Sequence, residues 1–453
     1  MVCTATFNRQ ATNMKKYADY LRKYFVYGWP IILSQAIIFI VNNYSASLTG
    51  ALSAKAMSGY TIGQESYTVL TMLALGLTGG FHVYISQYYG AHDKQKYNQV
   101  LRLGMKLCLA VGLAYCALIF FLARPFARLY AQDEVIVGYA VDYLRVYCFT
   151  FPFYFINLLW SETYSFIGRG KITMVSGVLN CIVNIIANYL CCQVLDLGIR
   201  GVALGSLCGR IAEFLFLYFT LNQKDSEFNL FVKYPAAAAG EMVEILKTSL
   251  PLVLNESIFS LAMMGIMMNY GYVSEEKLAC LTVVNNISQL FFILNKGSGP
   301  AVGVMVGGEL GKGDFAAAQE NARLSLYTVV LTTFVGAVPL ALLAGQIPAY
   351  YHLEGELAAL CTQMIRANCV IGTISSLTMT FYNILRMGGD TVAVFCQDGL
   401  FYLVVILPVS YIFSHLVPLP FFWLYVVVNG MNDVKALVGY YFYRKKKWLH
   451  KLS

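Results

Sequence analysis

Twelve stretches of about twenty mostly apolar residues recur along the 453-residue chain, each long enough to cross a bilayer as an α-helix. They run Tyr24–Leu48, Tyr60–Tyr84, Val100–Ala123, Tyr143–Phe166, Thr173–Cys192 and Gly201–Leu221 in the first half. In the second they run Leu250–Tyr270, Leu278–Val306, Leu324–Ala344, Met364–Leu385, Ala393–Phe413 and Leu419–Tyr440. Hydrocarbon offers the backbone no hydrogen-bond partners, so such segments must satisfy their own N–H and C=O groups as helices. The chain is therefore expected to be an all-α integral membrane protein. A hydrophobic share of 58%, a charged share of 12% and a mean hydropathy of +0.60 exclude an ordinary soluble domain.

The net charge of +8 does not point to nucleic acid, because the basic residues fall in short loops and tails between apolar spans. With a cytoplasmic N-terminus, that side collects roughly twenty Lys and Arg, including the terminal "RKKKW", against roughly seven on the other. Both termini are expected to be cytoplasmic, in a multi-pass protein of the plasma (inner) membrane. The N-terminus has no apolar core ahead of a small-residue cleavage site, so no removable signal peptide is expected. The twelve cysteines lie mostly inside apolar stretches without CxxC pairing, and read as small buried hydrophobes.

The polar stretch after Leu221 is the longest break in hydropathy and sets the expected domains. These are an N-terminal tail (1–23), a six-helix lobe (24–221), a linker (222–243), a second six-helix lobe (244–443) and a basic tail (444–453). The lobes match at one offset of about 220 residues. Pro30 pairs with Pro251, Gly90 and Asp93 with Gly311 and Asp314, and Arg145 with Arg366. An even number of spans per unit makes the repeats parallel, related by an axis along the membrane normal.

Several activities lack their residues. "GGELGKGD" fails as a phosphate loop, with Val306 at the first glycine and Gly313 at the hydroxyl position. His82, His92, His352, His415 and His450 are scattered, so neither an enzyme nor a bound cofactor is expected.

Ionisable residues inside spans are the candidates for function, since a charge near the bilayer centre costs roughly 2.5–3.5 kcal/mol on insertion scales. They are Glu65, Glu162, Arg210, Glu213, Glu256, Lys296, Arg366 and Asp398. Arg210 and Glu213 stand three apart on one helix and should pair. Arg366 lies near an outer helix end, where it can snorkel. Glu162, one turn from a cytoplasmic loop, either anchors that loop or floors a cavity. Lys296 in "LFFILNKGSGPAVG" needs a partner, and Glu256 and Asp398 are the candidates. The three are either a proton or sodium site or a fixed ion pair locking three helices. Asn180, Asn184 and Asn188 recur every four residues and make one polar stripe, for helix packing or for cavity lining.

With "WPIILSQ", "SQYYGAHDKQK", "GIRGVALGS", "LPLVLNE", "GGELGKGD", "ILRMGGDT" and "NDVKALVGYYFYRKKKW" in this order, the chain resembles the multidrug and toxic compound extrusion (MATE) transporters almost end to end. The resemblance implies two six-helix lobes around a central cavity, alternating between inward- and outward-open states. It implies export of amphipathic, cationic small molecules in exchange for protons or sodium, by a monomer whose partners are its substrate and the lipid bilayer. Counted from Pro30, the family's first-helix aspartate falls on Ser45, with Asn42 matching its asparagine, and the tenth-helix carboxylate of sodium-coupled members falls near Ser375. Glu65, at a similar depth in the second helix, is expected to take over the first-lobe carboxylate role. The expected site is therefore Glu256, Asp398, Lys296, Glu65, Ser45, Asn42, Asn180, Asn184 and Asn188, with any sodium at Glu256 and Asp398. Because Lys296 makes the site less friendly to cations, an anionic or zwitterionic metabolite or a lipid-linked precursor stands as the alternative substrate.

Overall fold

The computed structural model describes residues 2–223, 228, 239–274, 277, 280–281, 283–289, 297–350, 353–417 and 419–451. The side chains of residues 2–16, 38–40, 42, 43, 46, 47, 50, 51, 54, 239, 241 and 350 lie outside that description. All regular structure among the described residues is helical. In the first half these helices are α1 (Val2–Leu52), α2 (Ala54–Gly90), α3 (Lys94–Arg128), α4 (Glu134–Tyr147), α5 (Thr150–Phe166), α6 (Gly170–Tyr189) and α7 (Gly198–Leu221). The second half contains α8 (Ala239–Val273), then a continuous run of α9 (Ser298–Val302), a π turn (Gly303–Gly307) and α10 (Gly308–Lys312). There follow α11 (Phe315–Leu343), α12 (Ile347–Tyr350), α13 (Gly355–Met387), α14 (Thr391–Gln397) and α15 (Gly399–Phe401). A π turn (Tyr402–Ile406), α16 (Leu407–Tyr411), a second π turn (Ile412–Leu416) and α17 (Phe421–Lys445) complete the chain. The twelve predicted spans map onto these elements in order, the eighth lying partly outside the described residues.

Two spans are not single straight helices. The fourth is α4 plus α5, joined at Cys148 and Phe149. Pro152 explains the joint, since it brings no N–H and its ring clashes with the carbonyl four residues back, at Cys148. The eleventh is interrupted at Asp398, between α14 and α15.

The internal repeat is visible in the backbone. His92 and Gly313 both take left-handed φ, +58° and +80°. The aspartate after each caps the next helix, Asp93 accepting from the Lys96 N–H and Asp314 from the Ala317 N–H. Gly168 and Gly389, at the same offset from one another, repeat the left-handed turn with φ of +84° and +78°. Pro30 lies inside α1 and Pro251 inside α8.

By packing, the chain forms two compact units, one of Met1–Ile32 with Leu254–Ser453 and the other of Leu33–Val253. Both boundaries fall two residues after the paired prolines, so α1 and α8 each serve both units. In the Leu33–Val253 unit, Gly76 and Gly80 of α2 meet α8 backbone to backbone. A Cβ at Gly76 would lie 2.5 Å from Val253 Cα, and one at Gly80 2.8 Å from Ser249 Cα. In the other unit, Gly28 of α1 meets Gly297 in the same way, a Cβ falling 3.0 Å from the Gly297 carbonyl oxygen.

An exposed ionic clamp ties the ends of α2, α3 and α4 together. Lys55 pairs with Asp133 at 2.8 Å, and Arg124 and Arg128, one turn apart, both reach Glu134. These contacts hold both carboxyls below the ordinary carboxylate range, Asp133 chiefly through Lys55 and Glu134 chiefly through Arg124 and then Arg128. A depressed folded pKa contributes stability above the unfolded value that is lost as pH falls through the folded one. Glu134→Gln is therefore expected to flatten the fall of Tm below about pH 4, the unfolded carboxylate value, in a pH series on the detergent-solubilised protein. A wild-type acid slope in the variant would show that Glu134 does not carry it.

Candidate functional site

Within the unit completed by α8 to α17, the site is organised by the break at Asp398. Asn255 of α8 fills the break: its amide donates to Asp398 Oδ2 at 3.0 Å, and its oxygen accepts the Gly399 N–H at 2.7 Å. Glycine eases this approach, since a Cβ at position 399 would sit 3.0 Å from the Asn255 side-chain oxygen and 3.1 Å from Asn255 Cα, so that Asn255 would have to give way. Lys435 of α17 donates to the other oxygen, Asp398 Oδ1. The lysine is 5% exposed, and its ammonium lies 4.4 Å from the centre of the Tyr402 ring. Both oxygens of Asp398 are thus engaged and its charge is answered inside the protein.

Glu256, one residue after Asn255, accepts from the Tyr382 hydroxyl at 3.1 Å and acts electrostatically on Lys435. Glu256 and Asp398 thus lie in one neighbourhood around Lys435. Lys296, their expected partner, lies outside the described residues. The cation on Asp398 is Lys435. One helical turn away, Tyr402 donates to the Asn432 side-chain oxygen at 2.7 Å, and Ser375 of α13 donates to Asp433 Oδ1 at 3.0 Å.

In the Leu33–Val253 unit, α6 and α7 pack closely because Gly201, Gly205 and Gly209 recur every four residues along α7. A Cβ at Gly205 would lie 2.7 Å from the Asn188 backbone nitrogen, and one at Gly209 2.9 Å from the Asn180 carbonyl oxygen. The asparagine stripe of α6 faces this seam. Asn188 donates to Ser45 Oγ at 3.2 Å and to Asn184 Oδ1 at 2.7 Å, while Asn184 donates to Ser206 Oγ at 3.4 Å. Asn180 donates to Glu213 Oε2 at 2.7 Å, and the same oxygen takes Asn157 at 3.2 Å and Arg210 at 3.0 Å. The Arg210–Glu213 pair is thus present as its spacing predicts. Its guanidinium also donates to the Tyr67 hydroxyl at 3.0 Å and stands 4.8 Å over the Tyr154 ring. Ser45 and Asn188 make this seam neutral where it meets α1. The Asn42 side chain lies outside the described residues.

Glu65 is exposed on α2, eleven residues and about 16 Å from its start. Ser58, Thr61 and Thr68 are exposed with it at helical spacing, so this face of an otherwise apolar span is largely polar, with Val69 the exposed apolar residue on it. Glu162 faces a partner on α2, its carboxylate 3.1 Å from Nδ1 of the buried His82. Among the described residues no three His, Cys, Asp or Glu side chains gather as a metal-binding group.

Lys435, Asp433, Asn255, Tyr382 and Asn157 escape a reading of the sequence alone. For the first two a signal is available, because both lie within the apolar span Leu419–Tyr440. The same residues also belong to the motif that runs into the basic tail, and that masks them.

The MatE family model matches residues 30–190 and 251–412, covering both repeats. Rabbit multidrug and toxin extrusion protein 2 is 23% identical over 400 residues, spanning 88% of this chain and 66% of its own length. The chain thus spans about two-thirds of that relative. The uncharacterized transporter YisQ of Bacillus subtilis is 19% identical, with 98% of each chain covered. Among solved structures, MATE in complex with MaL6 superimposes with a TM-score of 0.87 at 19% identity, covering 94% of this chain and 96% of that one. A MOP superfamily transporter from Pyrococcus furiosus, described as having a binding pocket of reversed polarity, gives the same score and coverage at 18% identity. At these identities the structural likeness shows a shared fold.

Proposed function

The chain belongs to the MatE family, and on that premise we propose that it is a secondary active transporter exporting amphipathic, cationic small molecules in exchange for protons or sodium. The halves 24–221 and 244–443 alternate access across the plasma membrane, with both termini cytoplasmic. The observation that carries this reading is the exposed polar face of α2. A carboxylate about 16 Å into a membrane-spanning helix, flanked on the same face by hydroxyls, belongs against water, and a wet acidic surface inside a membrane suits a cation. Glu256 is the carboxylate proposed for the other unit, though not the repeat counterpart of Glu65, while in the Leu33–Val253 unit the Asn180, Asn184 and Asn188 stripe holds the α6–α7 seam. One charge moved across 100 mV is worth about 2.3 kcal/mol, enough to drive concentrative export.

A second reading follows from the buried Lys435 and the partly buried Arg210, together with the neutral Ser45–Asn188 contact. These favour an anionic or zwitterionic metabolite, or a lipid-linked precursor, and the Pyrococcus furiosus relative with its reversed polarity is a precedent of fold.

Ethidium efflux from cells lacking their own pumps separates the two, with the proton and sodium gradients collapsed in turn. Cation export predicts efflux that stops with one gradient and falls at least about tenfold, the effect of losing a charged hydrogen-bonding group, in Glu256→Gln and in Glu65→Gln. Well-expressed wild-type protein without efflux transfers the assignment to the second reading, and Glu65→Gln behaving as wild type across pH removes Glu65 from the mechanism.

A further inference from the structure

Asp433 lies midway along α17, twelve residues from either end and so about 18 Å along the axis from each. Ser375, twelve residues before the end of α13, donates to its Oδ1 at 3.0 Å. The side chain is half-buried, and among the described residues its hydrogen-bond partner is this hydroxyl. Of the charged groups on the helices packed against α17, Asp398 is taken by Lys435, and Glu356, Arg366 and Arg386 stand nine or more residues from Ser375 along α13. On α17 itself, Asn432 is turned to Tyr402. Two carboxylates of one unit thus have opposite circumstances. Asp398 has both oxygens engaged and a lysine on one of them, whereas Asp433 has a neutral donor inside the membrane-spanning stretch.

We propose that Asp433, with the Ser375 hydroxyl, is a monovalent cation site, holding a proton or a sodium ion, and that the Asp398–Lys435 pair is not. An ionised carboxylate at that depth, served by one hydroxyl, is stabilised most by taking a cation of its own. Ser375 donates its hydroxyl proton to the empty, ionised carboxylate and can turn a lone pair to sodium when that ion binds. Lys435 cannot fill the place, being held two residues along the same helix by Asp398 and Tyr402. The site gives the coupling ion of the proposed antiport an address, and it rests on that reading only for its use in transport.

The test is cation binding by the full chain in detergent. Radioactive sodium is titrated at fixed pH, and proton uptake is followed by a pH-jump with the carboxyl C=O infrared band as the second readout. Wild type is expected to bind one more cation per chain than Asp433→Asn, with the arm that responds naming the ion. The double variant Asp398→Asn/Lys435→Met is expected to retain that cation. Ser375→Ala is expected to weaken sodium binding about tenfold by removing a ligand oxygen or, where the occupant is a proton, to tighten it, because the hydroxyl that stabilised the ionised carboxylate is gone; it carries the test if Asp433→Asn is not recovered. Undiminished binding in Asp433→Asn, wild-type affinity in Ser375→Ala, or loss of the cation in the double variant would each overturn the assignment. Ethidium efflux from proteoliposomes of the same preparations separates the two claims. A cation that needs Asp433 without ethidium movement leaves the site standing and removes the substrate reading. Gradient-driven efflux unaffected by Asp433→Asn keeps the substrate reading and removes the Asp433 site from transport.

Discussion

Lys435→Met is expected to destabilise the protein by about 3–5 kcal/mol, the range for removing one partner of a buried ion pair. Lys435 is 5% exposed and supplies the countercharge of Asp398, so its removal strands a carboxylate that solvent reaches only in part. Asp398→Asn should destabilise as well, leaving the lysine over the Tyr402 ring without its counter-ion. The diagnostic result is the double variant Asp398→Asn/Lys435→Met, expected near wild type because no uncompensated charge remains and the amide introduced at position 398 can still meet Asn255. Tm and monodisperse yield of the four proteins form a double-mutant cycle. If the single changes simply add in the double variant, the pair is not coupled and the electrostatic account of the break fails.

The second large effect is steric. Gly205→Leu is expected to prevent recovery of folded protein, because the first added carbon already overlaps Asn188 Oδ1 and lies 2.7 Å from the Asn188 backbone nitrogen. Overpacking ordinarily costs about 1–3 kcal/mol when side chains can move aside, but here a backbone must give way. Displacing Asn188 would also loosen its bonds to Ser45 and Asn184. Gly138 of α4 is the matched control, with nothing within 4 Å of a Cβ placed there, so Gly138→Ala should leave Tm unchanged or slightly raised. A well-folded Gly205→Leu protein in a size-exclusion and Tm comparison would mean that α6 and α7 can separate without consequence.

What could be read from the sequence depended on the range of the interaction. Helical spans are local, and so is the Arg210–Glu213 spacing, which the structure bears out. The repeat was legible because the same turn chemistry, a left-handed residue followed by a capping aspartate, occurs at His92–Asp93 and at Gly313–Asp314. The break at Asp398 had a local sign too, the Asp-Gly dipeptide inside an apolar run, but hydropathy averages across it. The identity of its filler was beyond reach, since Asn255 precedes Gly399 by 144 residues. Lys435 and Asp433 were legible as charges in a span, but the basic residues beyond them dominate the end of the chain. Asn157 joining Glu213 across 56 residues could not have been inferred from spacing at all.

The passage of α1 and α8 between units also sets an order of events during synthesis. Residues 1–32 leave the ribosome first, yet the unit they complete resumes only at Leu254, after the 221 residues of Leu33–Val253 have been made. At roughly 5–20 residues per second that interval is about 10–45 s. The contact of Tyr20 with Ser325, 305 residues apart, waits longer still. Through that time the first half of α1 must keep its future packing face, with Gly28 and Tyr20 on it, covered by lipid or by the insertion machinery. The opening helix of the chain is thus among the last to find its place.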